Sequence, residues 1–490
     1  MRKFFIGFFN FLVNDYKNSM EGRYINKLNG AHFLVSKKAI TKIQAAILVI
    51  VIIAVVAGVT AYFLLQPKTL TIKIWHWTFT SEGERQLWHE LIENFSKKYP
   101  QYTVEIAEFS AGDLISKTTA ALEAGTASAM PDIIHSTMPN LLWAKKGQLA
   151  DLSDVASYVI NKYGDDLVDM WKQGLLDTIP GPDGVRRRYW VSNGYALAGC
   201  LIVNLNLTEQ GGVELNDLMT FEGLNASLYQ LRDRFNELGL EARPLDFQIS
   251  SSAPNDGTAD FIMVFEALAG HPLYDLNGLH LSDADEEYVR ATIELLARYY
   301  NDGILMEGAL VEGEAENNVN FITGKCAMTG NAVASIIARL KSESPGTRAA
   351  VVPFAGRSGS VQARPFMVPA ALPSERLEAA KTFLKWFFEK DNYRAFFGTS
   401  GGRGALDAPI YKSMLNQEPF LTDPVWSGVK SILNLKVPDP KWTSVGISML
   451  ASEGKLMGEV AAYITGGKTL EEATQAIVTA IRNAVQEWGS

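Results

Sequence analysis

The stretch TLTIKIWHWTFTSEGERQLWHELIENFSKKYPQYTVEIAEF, residues 69–109, decides the fold. TLTIKIWHW (69–77) alternates β-favouring apolar residues with other residues, which predicts a strand. Helical apolar spacing follows over residues 82–98 and stops before Pro100, and YTVEIAEF (102–109) predicts a second strand. A strand, a helix of this length and another strand form the repeating unit of a parallel α/β sheet.

The alternation continues beyond this unit. LISKTTAALEAG (114–125) predicts a helix closed by glycine, and PDIIHST (131–137) predicts a third strand. Ligands of such sheets collect at the carboxyl ends of the strands, so residues 75–79 and 135–140 are candidate contacts. Strand-like stretches lie at 186–204, 325–332, 349–354 and 364–372, and helical spacing occupies 374–390, 423–435 and 469–488.

Composition limits the functions open to this chain. The chain has 490 residues, which is longer than one ordinary domain. Its composition, 47% apolar and 20% charged, is ordinary for a globular protein. A net charge of −9 leaves no basic footprint, which argues against a nucleic-acid partner. Two cysteines and six scattered histidines provide no metal motif, and GTSGGRGAL (398–406) lacks the Lys-Ser/Thr of a phosphate loop. We therefore predict no cofactor, no metal and no catalytic residue.

The run AAILVIVIIAVVAGVTAYFLL, residues 45–65, contains 21 residues without a charge. As a helix this length spans roughly 30 Å of hydrocarbon, so we predict a transmembrane anchor rather than a buried core helix. Seven Lys/Arg precede Ile40 against two acidic residues, a net charge of +5. The positive-inside tendency then keeps the N-terminus in the cytoplasm and places everything after Pro67 outside the cell membrane.

SKKAITKIQAAILVIVIIAVVAG (36–58) resembles the pilin-like class III signal of archaeal surface proteins. In that family cleavage falls before the apolar run, which here points to the bond after Ala39. The alternative is an uncleaved signal anchor. Residues 1–39 are thus predicted to be a cytoplasmic signal region, and residues 40–68 an anchor and tether.

The outer part carries a series of short motifs in an informative order. Together they resemble the extracellular solute-binding proteins of ABC transporters, in the carbohydrate-binding family that includes maltose-binding protein. Two departures are the Val203 that stands where the family has a tyrosine, and LNDLMTFEGLN (215–225) in place of its proline and tryptophan motif. The motifs are IKIWHW, FSKKYPQYTVEI, ALEAGTASAMPDII, GQLADLSD (147–154), CLIVNLNL (200–207), FITGKCAMTGNA (321–332), EAAKTFLKWFFEK (378–390) and KTLEEATQAIVTAIRNAV (468–485).

This resemblance implies an α/β, two-lobed, periplasmic-binding-protein-like (type II) fold with a hinge, preceded by the transmembrane helix. Residues 69–195 with 328–367 would form lobe 1, and residues 196–327 with 368–490 lobe 2. The chain would cross between the lobes near 195–201, 326–330 and 368–373. Such a protein is not an enzyme: it captures a sugar or oligosaccharide in the cleft between its lobes and delivers it to the permease subunits of an ABC transporter.

A sugar site needs flat aromatic surfaces and a few convergent polar groups. Strand alternation places Trp75 and Trp77 on one face and His76 on the other, so one side belongs to the core. Packing is the alternative role for each aromatic residue, turn capping for the polar ones, and a solvated loop position for Arg403. The predicted ligand-binding residues are Trp75, His76, Trp77, Ser136, Thr137, Asn140, Asn193, Tyr195, Asn331, Arg364 and Arg403.

Two other features leave alternatives open. In the topology that the resemblance implies, Cys200 and Cys326 lie on neighbouring crossing strands within disulfide reach, although two buried free thiols are the favoured alternative. An extracellular glycoside hydrolase would also be acidic and aromatic, and needs a pair of carboxylates about 5–10 Å apart. A pilin-like structural subunit is a third function, suggested by the N-terminal segment alone.

Overall fold

The chain divides into two compact units, Met1–Lys68 and Thr69–Ser490. The computed structural model describes residues 47–48, 51–52, 54–55, 69–79, 82–250, 254–275, 278–330, 336–337, 339–340, 343–356, 360–397, 407–435 and 445–488.

In the N-terminal unit the described residues are helical, and their side chains are exposed. They belong to the predicted anchor at 45–65, whose other residues lie outside the described ranges, as does the predicted signal region 1–39. Among the residues that the structure describes, no helix combines the length and apolarity needed to cross a membrane.

The second unit contains the strands and helices of the α/β pattern. The strands are β1 Leu70–Trp77, β2 Tyr102–Phe109, β3 Ile133–His135, β4 Thr178–Pro180, β5 Arg186–Arg188, β6 Trp190–Ala198, β7 Cys200–Asn204, β8 Arg243–Asp246, β9 Tyr274–Asp275, β10 Gly278–Leu279, β11 Cys326–Thr329, β12 Ala349–Pro353 and β13 Ser360–Met367. The α-helices are α1 Glu82–Lys98, α2 Ala111–Ala124, α3 Leu141–Lys145, α4 Ser153–Tyr163, α5 Asp169–Gln173, α6 Leu205–Gln210, α7 Phe221–Leu238, α8 Pro254–Ala269, α9 Glu286–Asn301, α10 Glu314–Ile322, α11 Ser374–Phe387, α12 Lys390–Phe397, α13 Lys412–Leu415, α14 Pro424–Leu435, α15 Val445–Glu453, α16 Lys455–Ile464 and α17 Leu470–Trp488.

The first sheet has the order β2-β1-β3-β13-β6. Strand β1 runs parallel to β2 and β3, while β13 is antiparallel to both β3 and β6. Ile72 and Ile74 of β1 are fully buried, because period-two alternation directs them to the face that α1 covers with Trp88 and Phe95. The predicted parallel unit is therefore present; β13 extends it in the antiparallel direction, and β6 returns to the direction of β1.

The second sheet has the order β12-β7-β11-β8. Strand β11 is parallel to β8 and antiparallel to β7. Alternate residues of β7 enter two different hydrophobic clusters: Cys200 and Ile202 pack into the cluster shared with the first sheet, and Leu201 and Val203 into the second cluster. A strand buried on both faces explains why CLIVN is a continuous apolar run.

Two short links join the sheets. Between β6 and β7 the chain passes through Gly199, whose φ of 68° suits glycine best. Between β12 and β13 it passes through Ala355 and Gly356, with φ of 51° and 68°. A Cβ on Gly356 would also stand 2.1 Å from the carbonyl oxygen of Met219, so both the backbone angle and the space require glycine.

The predicted lobe boundaries need correction at two places. The crossing expected near 326–330 lies inside the second sheet, and the chain returns to the first sheet after β12, which had been assigned to lobe 1. No crossing occurs at 368–373, because α11 and α12 pack on the first sheet. The ring of Phe383 lies 5.0 Å from that of Phe95, and Phe387 stacks on Trp88 at 6.1 Å.

The two cysteines are buried free thiols, the favoured alternative. Register explains their separation: Val203 of β7 pairs with Met328 of β11, so Cys200 lies beyond the end of β11 and pairs with Pro353 of β12 instead.

Candidate ligand-binding site

The candidate site forms where β1 and β3 end beside β13. Parallel register aligns His76 with His135, and antiparallel register aligns His135 with Phe366. These pairings bring Trp77, the last residue of β1, next to Arg364 of β13. The site is thus built by three strands that are far apart in the sequence.

Trp77 is the half-buried aromatic residue of this edge. Its ring centroid lies 4.4 Å from that of His135, tilted by 50°, and the guanidinium carbon of Arg364 lies 5.9 Å from the indole centroid. A large aromatic side chain held by protein contacts, yet partly open, can offer apolar surface to a ligand.

The two histidines support the edge from inside. Both are fully buried, and burial lowers the pKa of His76 to about 3 and that of His135 well below its ordinary value. His76 is therefore neutral, and its Nδ1–H donates to the carbonyl of Trp77. Asn193 Nδ2 lies 2.9 Å from His135 Nε2, which accepts its hydrogen bond. These imidazoles fix the position of Trp77 and add no charge.

Arg364 joins the edge to a segment of the chain that no sequence pattern indicated. Its Nε donates to Asp407 Oδ2 at 3.0 Å, and its Nη1 donates to the carbonyl of Thr137 at 2.8 Å. The side chains of Arg364 and Asp407 are 13% and 17% exposed. Because its charge is matched by a carboxylate, Arg364 contributes directed N–H donors rather than a free positive charge.

Three other predicted residues have local roles. Trp75 packs edge-on against Phe109 of β2, with ring centroids 5.2 Å apart, two residues before the strand end. Ser136 is buried, and its hydroxyl oxygen accepts a backbone N–H two residues further on. Asn140 caps α3 by accepting the N–H of Trp143. For Ser136 and Asn140 these contacts correspond to the turn-capping alternative.

The remaining predicted residues differ in what the structure says of them. Asn193 and Tyr195 lie on β6 and are buried, and Tyr195 pairs with Ala408 in an isolated bridge. Asn331 and Arg403 lie outside the described residues.

Buried polar atoms without a partner are concentrated near this edge. Within the described ranges, His135 Nδ1, Asn193 Oδ1 and Asp407 Oδ1 are buried and have no hydrogen-bond partner. Each such group has a free-energy cost unless a polar guest satisfies it. The edge is therefore suited to hydrogen-bonding molecules, whether water or ligand hydroxyl groups.

The carboxyl ends of β8 and β11 form a similar polar edge on the second sheet, where the sequence had predicted a contact from Asn331 and none from Gln248 or Asp260. Asp260 of α8 accepts the N–H of Gln248 at 2.9 Å, and Gln248 Oε1 is buried without a partner in the described part of the chain. A Cβ on Gly330 would stand 2.3 Å from Asp260 Oδ1, so glycine is required for this close approach. Asp260 lies on α8 rather than at a strand end, so no sequence pattern indicated it.

Two α/β units joined by crossing segments, each with a polar edge at its strand ends, define the class of two-lobed periplasmic-type binding proteins. The chain belongs to the family described as bacterial extracellular solute-binding protein, whose model matches residues 90–424. The expected ABC-type solute-binding fold is thereby confirmed, and members of this class are transport binding proteins rather than enzymes. A comparison with curated protein sequences gave no match.

Solved structures agree on the fold. Maltose-bound MalE3 of T. maritima is 18% identical at a TM-score of 0.63, and the match covers 84% of this chain and 99% of that chain. A sugar transporter protein of Arthrobacter chlorophenolicus with bound laminaribiose is 16% identical at 0.64, covering 84% and 99%. UgpB of Mycobacterium tuberculosis, in complex with glycerophosphocholine, is 15% identical at 0.61, covering 86% and 99%. At these identities the likeness establishes the fold.

Proposed function

We propose that this protein is a membrane-anchored extracellular solute-binding protein that captures a sugar or oligosaccharide between its two α/β lobes. It then delivers the sugar to the permease subunits of an ABC transporter. Family membership supports the transport role, and the maltose and laminaribiose bound by two similar structures support the ligand class. The hydrolase alternative has no comparable support from the matched family or from the similar structures.

One observation carries the ligand assignment: a half-open indole, Trp77, stands among directed and unsatisfied hydrogen-bonding groups. The indole would stack on the apolar face of a sugar ring. Asn193, Thr137 and Arg364 would hydrogen-bond to the sugar hydroxyl groups, or would position the residues that do so. We retain Asn331 and Arg403 as proposed contacts, and we assign His76 to supporting Trp77.

The anchor is part of the same proposal. An uncharged apolar run at 45–65 supports a single-pass span, and the exposed apolar side chains of its described helical residues favour a lipid environment. The excess of basic residues before Ile40 supports an extracellular binding domain. A pilin-like cleavage after Ala39 would leave this anchor intact.

A ligand screen followed by a matched pair of variants tests the binding role. Thermal shift of residues 69–490 against mono- and oligosaccharides, polyols and peptides should identify a carbohydrate, because ligands of the native state raise its apparent stability. Stacking that buries about 60 Å² at roughly 25 cal/mol per Å² contributes about 1.5 kcal/mol. Trp77→Ala should therefore weaken the affinity about tenfold by calorimetry. Trp75→Ala, which removes an aromatic contact with Phe109, should leave affinity unchanged.

The contrary outcomes are distinct. If peptides are the one class of ligand that stabilises the domain, carbohydrate binding is rejected. Equal loss of affinity in Trp77→Ala and Trp75→Ala would move the site away from the end of β1. Turnover of the bound sugar would favour the hydrolase.

A further inference from the structure

A buried and a half-buried carboxyl group of the second lobe, Asp246 and Glu312, share a single amide. Asp246, the last residue of β8, accepts a hydrogen bond at Oδ2 from Asn320 Nδ2 at 3.0 Å. The same Nδ2 donates to Glu312 Oε2 at 2.9 Å. Asn320 lies on α10, so this amide connects the end of a core strand to a helix and to the turn before it.

Neighbouring contacts attach α10 to the strands at the same place. Asn317 Nδ2 donates to the carbonyl of Asp246 at 3.2 Å, and Thr329 of β11 donates to Asn317 Oδ1 at 2.8 Å. Asp246 is 1% exposed, and Asn317, Asn320 and Thr329 are also buried. Through this network, α10 is held against the carboxyl ends of β8 and β11.

The groups around Asp246 do not compensate a negative charge. Glu312 before α10 and the Cys326 thiol of β11 are its acidic neighbours. The cation of its own strand, Arg243, donates to Glu307 at 2.7 Å. From α8, Asp260 faces the backbone N–H of Gln248 instead.

A carboxyl group in this position favours its neutral form. Burial raises the pKa of Asp246 to about 7, and the nearby Glu312 adds to this, whereas the hydrogen bonds from Asn320 and Asn317 oppose it. Below neutral pH a proton remains on Asp246, and one negative charge at most faces the Asn320 amide. Above neutral pH two negative charges meet across one NH₂ group.

We propose that Asp246, Glu312 and Asn320 form a proton-dependent lock that holds α10 against β8 and β11 and is released as the pH rises through neutrality. The lock goes beyond the proposed transport function, since it acts within one lobe and requires no ligand. It makes the stability of this lobe depend on extracellular pH, and its Thr329 directly precedes Gly330 of the polar edge.

Asp246→Asn tests the lock, because asparagine keeps an oxygen acceptor for Asn320 and cannot ionise. Urea unfolding of the full-length protein in detergent, with EDTA present, is measured from pH 5 to 8. The unfolding constant of the wild type, relative to that of the variant, should rise about tenfold per pH unit between pH 5 and 7. Asp391→Asn, at an exposed position of α12, is the matched control and should show no such rise. A ratio independent of pH for Asp246→Asn would overturn the proposal.

Hydrogen exchange locates the effect. Amides of α10 should lose protection in the wild type between pH 5 and 7, after correction for intrinsic exchange, and should keep it in Asp246→Asn. Loss of protection no greater in α10 than in α17 would also overturn the lock. If Asp246→Asn does not fold, Glu312→Gln serves instead: removing its charge lowers the pKa of Asp246, so the rise of the unfolding constant should level off at lower pH than in the wild type, and an unchanged transition would contradict the proposal.

Discussion

The ion pair between Arg364 and Asp407, which is largely removed from solvent, should couple strongly, whereas an exposed pair of the same chain should not. Arg364 Nε and Asp407 Oδ2 are 3.0 Å apart, and the side chains are 13% and 17% exposed. Lys97 Nζ and Glu93 Oε2 of α1 are 3.4 Å apart, with both side chains 71% exposed. The two pairs have similar distances and differ in burial, so comparing them isolates the effect of solvent.

The magnitudes follow from Coulomb's law. With an effective dielectric constant of about 20, opposite charges 3.0 Å apart interact by roughly 5 kcal/mol, and in water at 3.4 Å by roughly 1 kcal/mol. Asp407→Asn leaves the buried guanidinium with the Thr137 carbonyl and the Trp77 ring, so we expect a loss of about 3–5 kcal/mol. Glu93→Gln should cost about 0.2–1 kcal/mol.

Double-mutant cycles measure this difference. Arg364→Met, Asp407→Asn and their combination form one cycle, and Lys97→Met, Glu93→Gln and their combination form the other. Urea unfolding of residues 69–490 is followed by circular dichroism and fluorescence, whose transitions must coincide for the free energies to be compared. We expect a coupling energy of about 2 kcal/mol or more for the buried pair and about 0.5 kcal/mol or less for the exposed one. Equal couplings would refute the reasoning that burial strengthens the pair.

Three further outcomes are expected. His76 has a pKa of about 3 in the folded protein and about 6.5 in the unfolded chain. Its neutral form therefore contributes fully to stability above pH 6.5, and this contribution is lost as the pH falls toward 3. In urea unfolding at different pH values, His76→Gln should reduce the loss of stability at acid pH. Burial raises the pKa of the Cys200 thiol to about 12, so neither Cys200 nor Cys326 should react with Ellman's reagent in the native protein, and both should react in denaturant. Gly356 and Gly239 both have positive φ, but a Cβ on Gly239 would meet open space. Gly239→Ala should therefore cost about 1–2 kcal/mol in thermal unfolding, and Gly356→Ala should cost more. Equal losses would argue against the close contact at Gly356.

Local periodicity was sufficient to predict the β1–α1–β2–α2–β3 unit. Each element shows its own spacing of apolar residues, so no distant contact is needed to recognise it. The predicted start of α2 at Leu114 was three residues late, because the helix begins at Ala111 after a capping residue. Ser110 accepts the N–H of Asp113 at 3.1 Å, and this polar turn carries no apolar period.

Assignment of strands to sheets was beyond local reasoning. AAVVPF predicts a buried strand equally well in either sheet, and its place beside β7 depends on pairing Val351 with Ile202, 149 positions away. The order of motifs located the crossing at Gly199 near its predicted place, 195–201. It misplaced the second crossing, because the Gly- and Ser-rich stretch GRSGS (356–360) that links β12 to β13 belongs to none of those motifs.

In the candidate site, too, local sequence patterns predicted some features, and contacts between distant residues were missed. Alternation separated His76 from its two tryptophan neighbours and could not decide which face was buried, since all three side chains are aromatic. The structure buries the imidazole, because α1 covers that face with Trp88, whose ring lies 5.2 Å from that of His76. Trp77 thereby remains half open. The carboxylate of Asp407 was missed because its partner, Arg364, precedes it by 43 residues with no shared motif.

Each polar edge has a carboxylate near the end of a strand. The negative charge of the two carboxylates is balanced in different ways. At the first edge the guanidinium of Arg364 pairs with the carboxylate of Asp407. At the second edge Asp246 has amides and another acid around it, so a proton must serve in place of a cation. A pH change should therefore leave the Trp77 edge intact while it alters the attachment of α10. If affinity for the ligand stays constant while the stability of the second lobe changes between pH 5 and 7, the two edges act independently.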